Sequence, residues 1–418
     1  METFYLNNIK TTIIKTKQFK TMNLNVVYQD EATKENIVKY TLLKRLLTLT
    51  SKKYPTKKEF SDQLSFLYGT NINLATLVAF RRLFIIFTID IVNPLYFNDE
   101  NLLKEALSFL YEIIYNPNII NGGFCPKEFE FERDRLIINN ANIYNNKRAY
   151  SIRSIRELML KEYDVIITSS EFEDILNEIT PISLYNYYLS SLNSQINLYV
   201  VGNIDKEELI PYFLNWPASN EIKTYPTLFV KDYDETVKEK TEKQDIEQSQ
   251  LIIGYFTSII NNSYDTCIMT VFYTMLGSSP SSLLDTIVRE KHSLAYYVYS
   301  NYDAQLGILL VGAGIKASKK EIVLSLINEI ISNFQNGNIS QTLFNEAKTL
   351  VINNMKSSKD NPYHYFFEKL MNDYLDSPSS EQKISYIQNI TIQDIIRVAN
   401  TVVLKAIYFL EGEKNAEN

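Results

Sequence analysis

Histidine is almost missing from this chain: His292 and His364 are the two in 418 residues, and neither has a second histidine at helical spacing. His364-Tyr-Phe-Phe-Glu368 has no third ligand, so it reads as a surface or helix-cap histidine rather than as a metal site. Cysteine is equally scarce. Cys125 and Cys267 lie far apart in no metal or redox spacing, and read as buried or incidental thiols in a reducing cytoplasm. No apolar run approaches the roughly 18 residues that would suggest a membrane span. The opening Met-Glu-Thr-Phe-Tyr-Leu-Asn-Asn lacks the basic-then-apolar layout of a signal peptide. Positive charge is in deficit. A formal charge of −7 and a pI near 5.2 argue against nucleic acid or an anionic membrane as the main partner.

Signatures of the commoner enzyme classes are missing too. No glycine-rich loop ends in Gly-Lys-Ser/Thr, so nothing announces a phosphate cradle. Val311-Gly-Ala-Gly314 follows a strand but lacks the third glycine and the acidic residue of a dinucleotide site, and it reads as a tight turn. Serine, histidine and aspartate occur in no nucleophile-elbow context.

What the chain does have is apolar mass and repetition. Hydrophobic residues make up 45% of it, with 30 Tyr and 22 Phe, and its length calls for two cores rather than one. Leu107-Ser-Phe-Leu-Tyr-Glu112-Ile-Ile recurs as Leu324-Ser-Leu-Ile-Asn-Glu329-Ile-Ile, and Leu136-Ile-Ile-Asn-Asn140 as Leu350-Val-Ile-Asn-Asn354. Ile179-Thr180, opening a helix, recurs as Ile390-Thr391. Leu198-Tyr-Val-Val-Gly202 recurs as Ile407-Tyr-Phe-Leu-Glu-Gly412. Four matches in one order, at an offset of about 210–217 residues, indicate an internal duplication.

Period-2 alternation predicts strands over Thr11–Lys17 and Asn23–Gln29, joined by a short turn. Helices follow over 34–50 and 56–68, broken at Pro55 and stopped by Gly69. Strands at 71–79 and 83–92 come next, then helices at 99–116 and from about 126, a short helix from Pro181 and a strand at 195–202. The second half opens at Leu251-Ile-Ile-Gly-Tyr-Phe and repeats this plan. The expected fold class is α+β: two tandem homologous domains, 1–218 and 246–418, each a mostly antiparallel sheet with helices packed on it. Residues 219–245 read as a charged linker in which Leu228-Phe-Val is a possible strand.

Residues 276–299 carry the most specific chemistry. A turn at Leu276-Gly277-Ser-Ser-Pro280 leads into a short amphipathic helix ending at Arg289, and Tyr296 opens an aromatic strand seven residues later. With Val200-Val-Gly-Asn-Ile-Asp205 and Glu247-Gln-Ser-Gln in matching places, the chain resembles the insulinase/pitrilysin superfamily of zinc peptidases, which includes the mitochondrial processing peptidase. The resemblance covers almost the whole chain. It implies that Arg289 and Tyr296 hold a peptide and its oxyanion, a donor role worth roughly 10²–10³ in rate. It also places Gly277 and Ser278 in the substrate-binding turn, although the family's glycine-rich loop is here replaced by serines and Pro280.

Active members carry His-x-x-Glu-His on a first-domain helix, two ligands and a general base on one face. Aligned on the Lys52-Lys-Tyr-Pro55 turn, that motif falls on Thr41-Leu-Leu-Lys44-Arg45, and the later acidic ligand near Asn139 or Asn140. Thr41, Lys44 and Arg45 are thus degenerate metal-motif positions, and no metal is expected in this chain. The resemblance implies a subunit inactive alone, paired in the cytoplasm with a homologous zinc-binding subunit, zinc being the partner's, for peptide processing or degradation. The alternative from another class is a structural or peptide-binding scaffold with no part in catalysis. An independent metal enzyme with unrecognised ligands is the least favoured reading.

Overall fold

In the computed structural model the described residues are 1–412 apart from 80, 97, 98, 100, 164, 215, 218–235 and 261–263; the expected strand at Leu228-Phe-Val falls outside them. The chain forms two compact units. One comprises Met1–Ala141, Ser169–Phe229 and Asn361–Lys369, the other Asn142–Thr168, Val230–Asp360 and Leu370–Asn418.

The sheet of the first unit contains β1 (Glu2–Leu6), β2 (Ile9–Lys15), β3 (Thr21–Glu31), β4 (Asn71–Ala79) and β5 (Arg82–Val92). A small ribbon of β6 (Ile119–Ile120) and β7 (Gly123–Phe124) stands apart, and β8 (Asn197–Gly202) returns to the sheet. The order is β1-β2-β8-β3-β5-β4, so β2 and β3 are not the hairpin that their short connection suggests. β8 inserts between them, parallel to β2 and antiparallel to β3. The pleats of β3 and β5 are buried on both faces, and the apolar face is covered by helices Lys34–Leu47 and Leu102–Tyr115. Helix starts follow their caps: Thr33 accepts from Asn36 N–H, and Thr56 with Glu59 closes a capping box before Lys57–Phe66. Gly69, at φ +72°, supplies the left-handed residue that stops the second of these.

The sheet of the second unit runs β11-β12-β10-β13-β9, built from β9 (Lys238–Gln244), β10 (Ser249–Phe256), β11 (Ala295–Asp303), β12 (Ile308–Ile315) and β13 (Val403–Gly412). Each strand has a counterpart in the first sheet: β9 lies parallel to β13 as β2 lies parallel to β8. The charged stretch Lys238-Glu-Lys-Thr-Glu-Lys therefore contributes an edge strand, and its charges suit an edge that must not pair further. Thr180 and Thr391 both build capping boxes, so the duplication is repeated down to its helix caps.

One face of the second sheet holds the main core with helix Tyr264–Gly277. The other is covered by helix Lys147–Leu160, from the first sequence repeat. Ile155, Met159 and Leu160 pack there on Ile252, Phe256, Ile308, Leu310 and Tyr408. Gly254 makes this approach possible: a Cβ at that position would come within 2.2 Å of Met159 Sδ. Tyr150 and Tyr408 also donate to Glu242 on β9. Burial opposes ionisation of that carboxylate, but hydrogen bonds from Gln244, Tyr408 and Tyr150 prevail and hold its pKa below the usual range. The exchange is mutual. Helix Pro362–Leu375, the counterpart of Lys147–Leu160, gives Asn361–Lys369 to the first unit, where buried Phe366 meets Tyr199 edge-on at 5.4 Å.

Candidate functional site

Helix Lys34–Leu47 buries Val38, Leu42, Leu43, Leu46 and Leu47, which leaves Thr41, Lys44 and Arg45 off its apolar face. Thr41 turns its hydroxyl back to the Ile37 carbonyl at 2.8 Å, and Lys44 is exposed. Arg45 Nη1 reaches Glu132 Oε2 at 3.3 Å on helix Pro126–Asn142. Glu132 is 1% exposed and also contacts Arg135 Nη1 at 3.0 Å and Lys57 Nζ at 3.9 Å. These residues do not fit a zinc ion. A guanidinium has donors and no lone pair to give, and fixed cations repel a dication. Among the described residues, no three His, Cys, Asp or Glu side chains converge as metal ligands.

Asn140, at the expected acidic position, is nearly buried and bonds Ser169 Oγ at 2.8 Å and Glu173 Oε1 at 2.9 Å. The carboxylate that Arg45 meets is Glu132, two turns earlier than Asn140. Sequence reasoning passed over it, although its signal was available: it lies on the buried stripe of Phe129 and Leu136, where a lone charge demands a partner.

The second unit holds the arginine and tyrosine. Residues Leu284–Lys291 form a wide helix of π type, with His292 N–H bonding Ile287 O at 3.2 Å, and Leu284 and Val288 are its buried face. Arg289 is 43% exposed and is held by Asp285 at 2.7 Å and Glu290 at 3.5 Å. The chain then turns through Ser293, at φ 50°, into β11, which packs on the wide helix. Ala295 pairs with Ile315 and Tyr297 with Gly314, so Tyr296 is the extra residue of a β-bulge. Bulges re-aim side chains, and Tyr296 is 63% exposed.

Its neighbours are fixed by contrast. The rings of Tyr297 and Tyr299 lie over Gly314 and Gly312, their cross-strand partners, where any Cβ would come within 2.5 Å and 2.4 Å of ring carbons. Val311-Gly-Ala-Gly314 is thus mid-strand and not a tight turn; its glycines clear space for aromatic rings. Arg148 stacks over Tyr299 at 4.0 Å, and Tyr297 donates to Gln250. Burial pushes the Tyr297 hydroxyl up to about 12. Gly277 is buried at the end of helix Tyr264–Gly277, where a Cβ would meet Leu284 Cδ1 at 2.6 Å and Ser300 N at 2.8 Å. It serves close packing there, without the left-handed backbone expected of a glycine turn, while Ser278 beside it is exposed.

The profile of the family described as "Peptidase M16 inactive domain" matches residues 180–351, which include the wide helix and Tyr296. The chain belongs to the M16 superfamily of insulinase and pitrilysin. It is similar to a "Probable inactive metalloprotease YmfF" of Bacillus subtilis, 29% identical over 99% of each chain. A conserved protein of Enterococcus faecalis superposes with a TM-score of 0.91 and 30% identity, covering 99% of this chain and 98% of that one. A peptidase M16 inactive domain from Pseudomonas fluorescens shares the fold, with a TM-score of 0.77 over 98% of each chain and 12% identity. Within M16 this is an inactive, peptidase-like member. Among the described residues no helix is long and apolar enough to cross a membrane.

Proposed function

We propose that this chain is the non-catalytic subunit of a heterodimeric zinc peptidase of the cytoplasm. A homologous subunit with His-x-x-Glu-His intact supplies zinc and the general base, and this chain supplies Arg289 and Tyr296 and helps to enclose the peptide. The observation that carries the reading is the bulge at Tyr296. It spends a strand residue on presenting one phenol to solvent, beside a helix whose arginine is pre-positioned, in a chain whose own motif helix is cationic. The Tyr296 hydroxyl would donate to the oxyanion that forms at the scissile carbonyl, and Arg289 would hold the peptide backbone. Gly277 and Ser278, at the end of helix Tyr264–Gly277 and ahead of the wide helix, are assigned to the substrate side of the same unit in this reading. Neither nucleic acid nor membrane is a partner in this reading.

The test is reconstitution. Mixing this chain with a zinc-motif homologue should produce cleavage of a quenched fluorescent peptide that neither chain gives alone. Tyr296→Phe should then lower kcat by roughly 10²–10³ without loss of the complex on gel filtration. Turnover unchanged in Tyr296→Phe and Arg289→Ala complexes would favour the scaffold reading instead.

A further inference from the structure

The vestigial motif helix takes part in a charge arrangement that its own ion pair does not balance. Three cations, Arg45, Lys57 and Arg135, share the single carboxylate of Glu132. Glu132 is 1% exposed, whereas Arg45, Lys57 and Arg135 keep 28%, 54% and 49% of their side chains in solvent. A guanidinium has five N–H donors. Arg45 spends one nitrogen on Glu132 and Arg135 one, and among the described residues neither makes another hydrogen bond. Lys57 opens helix Lys57–Phe66, at the end where the helix dipole opposes a cation, so its place is not explained by the helix. Phe131 lies within the same group. It is 53% exposed, with Lys57 Nζ 5.1 Å and Arg135 Cζ 5.6 Å from its ring centre.

Fixed like charges at this spacing repel, and a buried carboxylate neutralises one of three. A second anion arriving from solvent would meet unspent donors presented by three helices, with an aromatic face beside it. We propose that this cluster binds a peptide carboxylate, with Phe131 receiving the apolar side chain next to it, so that the chain selects acidic peptide segments. The inference rests on the peptide-handling role above and names the class of peptide. Charge-assisted pairing to Arg45 and Arg135 gives the affinity, and Glu132 holds both guanidinium groups in place.

Fluorescence anisotropy of a labelled peptide containing Phe-Glu-Glu, titrated with the purified full chain and no partner, tests it. The acidic peptide should bind at least tenfold more tightly than its Phe-Gln-Gln counterpart, and the difference should shrink in high salt. Lys57→Gln and Arg135→Gln change exposed side chains and should each weaken binding several-fold. Equal affinity for the two peptides, or Lys57→Gln and Arg135→Gln variants that bind as wild type, would overturn the proposal. Inorganic phosphate that displaces the peptide at equimolar concentration would reassign the cluster to free phosphate. Because no partner is present, failure here leaves activation through Arg289 and Tyr296 untouched, and failed activation leaves this binding measurable.

Discussion

Asp90 sits on β5, one strand in from the edge of the first sheet, among amides and hydroxyls rather than hydrocarbons. Asn23 donates to it at 2.7 Å, Asn25 donates to Asn23, and Thr88 donates to Asn25 at 2.8 Å. Burial raises the Asp90 pKa above the ordinary value, and hydrogen bonds from Asn23 and Asn71 oppose the rise without cancelling it. The folded protein therefore holds this proton more tightly than the unfolded chain. Its stabilising contribution is complete below the unfolded pKa of about 3.9 and is lost as pH rises through the folded value. Asp90→Asn keeps an acceptor for Asn23 and removes the charge. It should raise Tm at neutral pH, each kcal/mol recovered giving roughly 2–4 °C, and leave Tm unchanged near pH 4. A Tm gain of the same size at both pH values would show that ionisation is not the cause. No feature of the sequence marks Asp90, because alternation tells which residues share a pleat and not whether that pleat is wet.

At the scale of elements, periodicity located most strands and helices to within a few residues. Lys34–Leu47, Lys57–Phe66, Asn71–Ala79 and Arg82–Val92 form close to where caps, Pro55 and Gly69 predict. Partners were less legible. β2 and β3 are near in sequence, yet β8, almost two hundred residues on, lies between them, and nothing local encodes a parallel pairing. The glycines of β12 were misread for a related reason. A glycine has no side chain to show a period, and its use here is set by tyrosines on the next strand. Gly312→Ala should drive the Tyr299 ring off the sheet and away from Arg148, and lower stability by roughly 1–3 kcal/mol in urea denaturation. In a Tyr299→Ala background the same Gly312→Ala change should cost far less, because the ring it clashes with is gone. Additive effects of the two changes would mean that ring and glycine do not compete for the same space.

For the whole molecule, the exchanged helices outweigh any single contact. Two homologous domains were legible from the repeats, but the sequence assigns Lys147–Leu160 to the first of them, and the structure places it on the second sheet. A fragment of residues 236–412 lacks this cover. It would expose Ile252, Phe256, Ile308, Leu310 and Tyr408, each buried large apolar side chain contributing about 1.5–3 kcal/mol. Such a fragment should bind hydrophobic dyes and melt without a cooperative transition. Co-expression with residues 1–217 should restore a sharp transition and a stoichiometric complex. A cooperative melt of the lone fragment would show that the helix is dispensable.

The same exchange bears on the ancestry of the chain. A gene encoding one repeat would have produced a polypeptide with one sheet face bare and one helix of its own with no sheet to cover. Two such polypeptides could satisfy each other only by trading helices, as a symmetric pair. Fusion of two copies would then have turned a bimolecular equilibrium into a permanent tether, freeing each copy to diverge. The cations Lys44 and Arg45 in one copy and the bulged Tyr296 in the other are differences of the kind such divergence would leave.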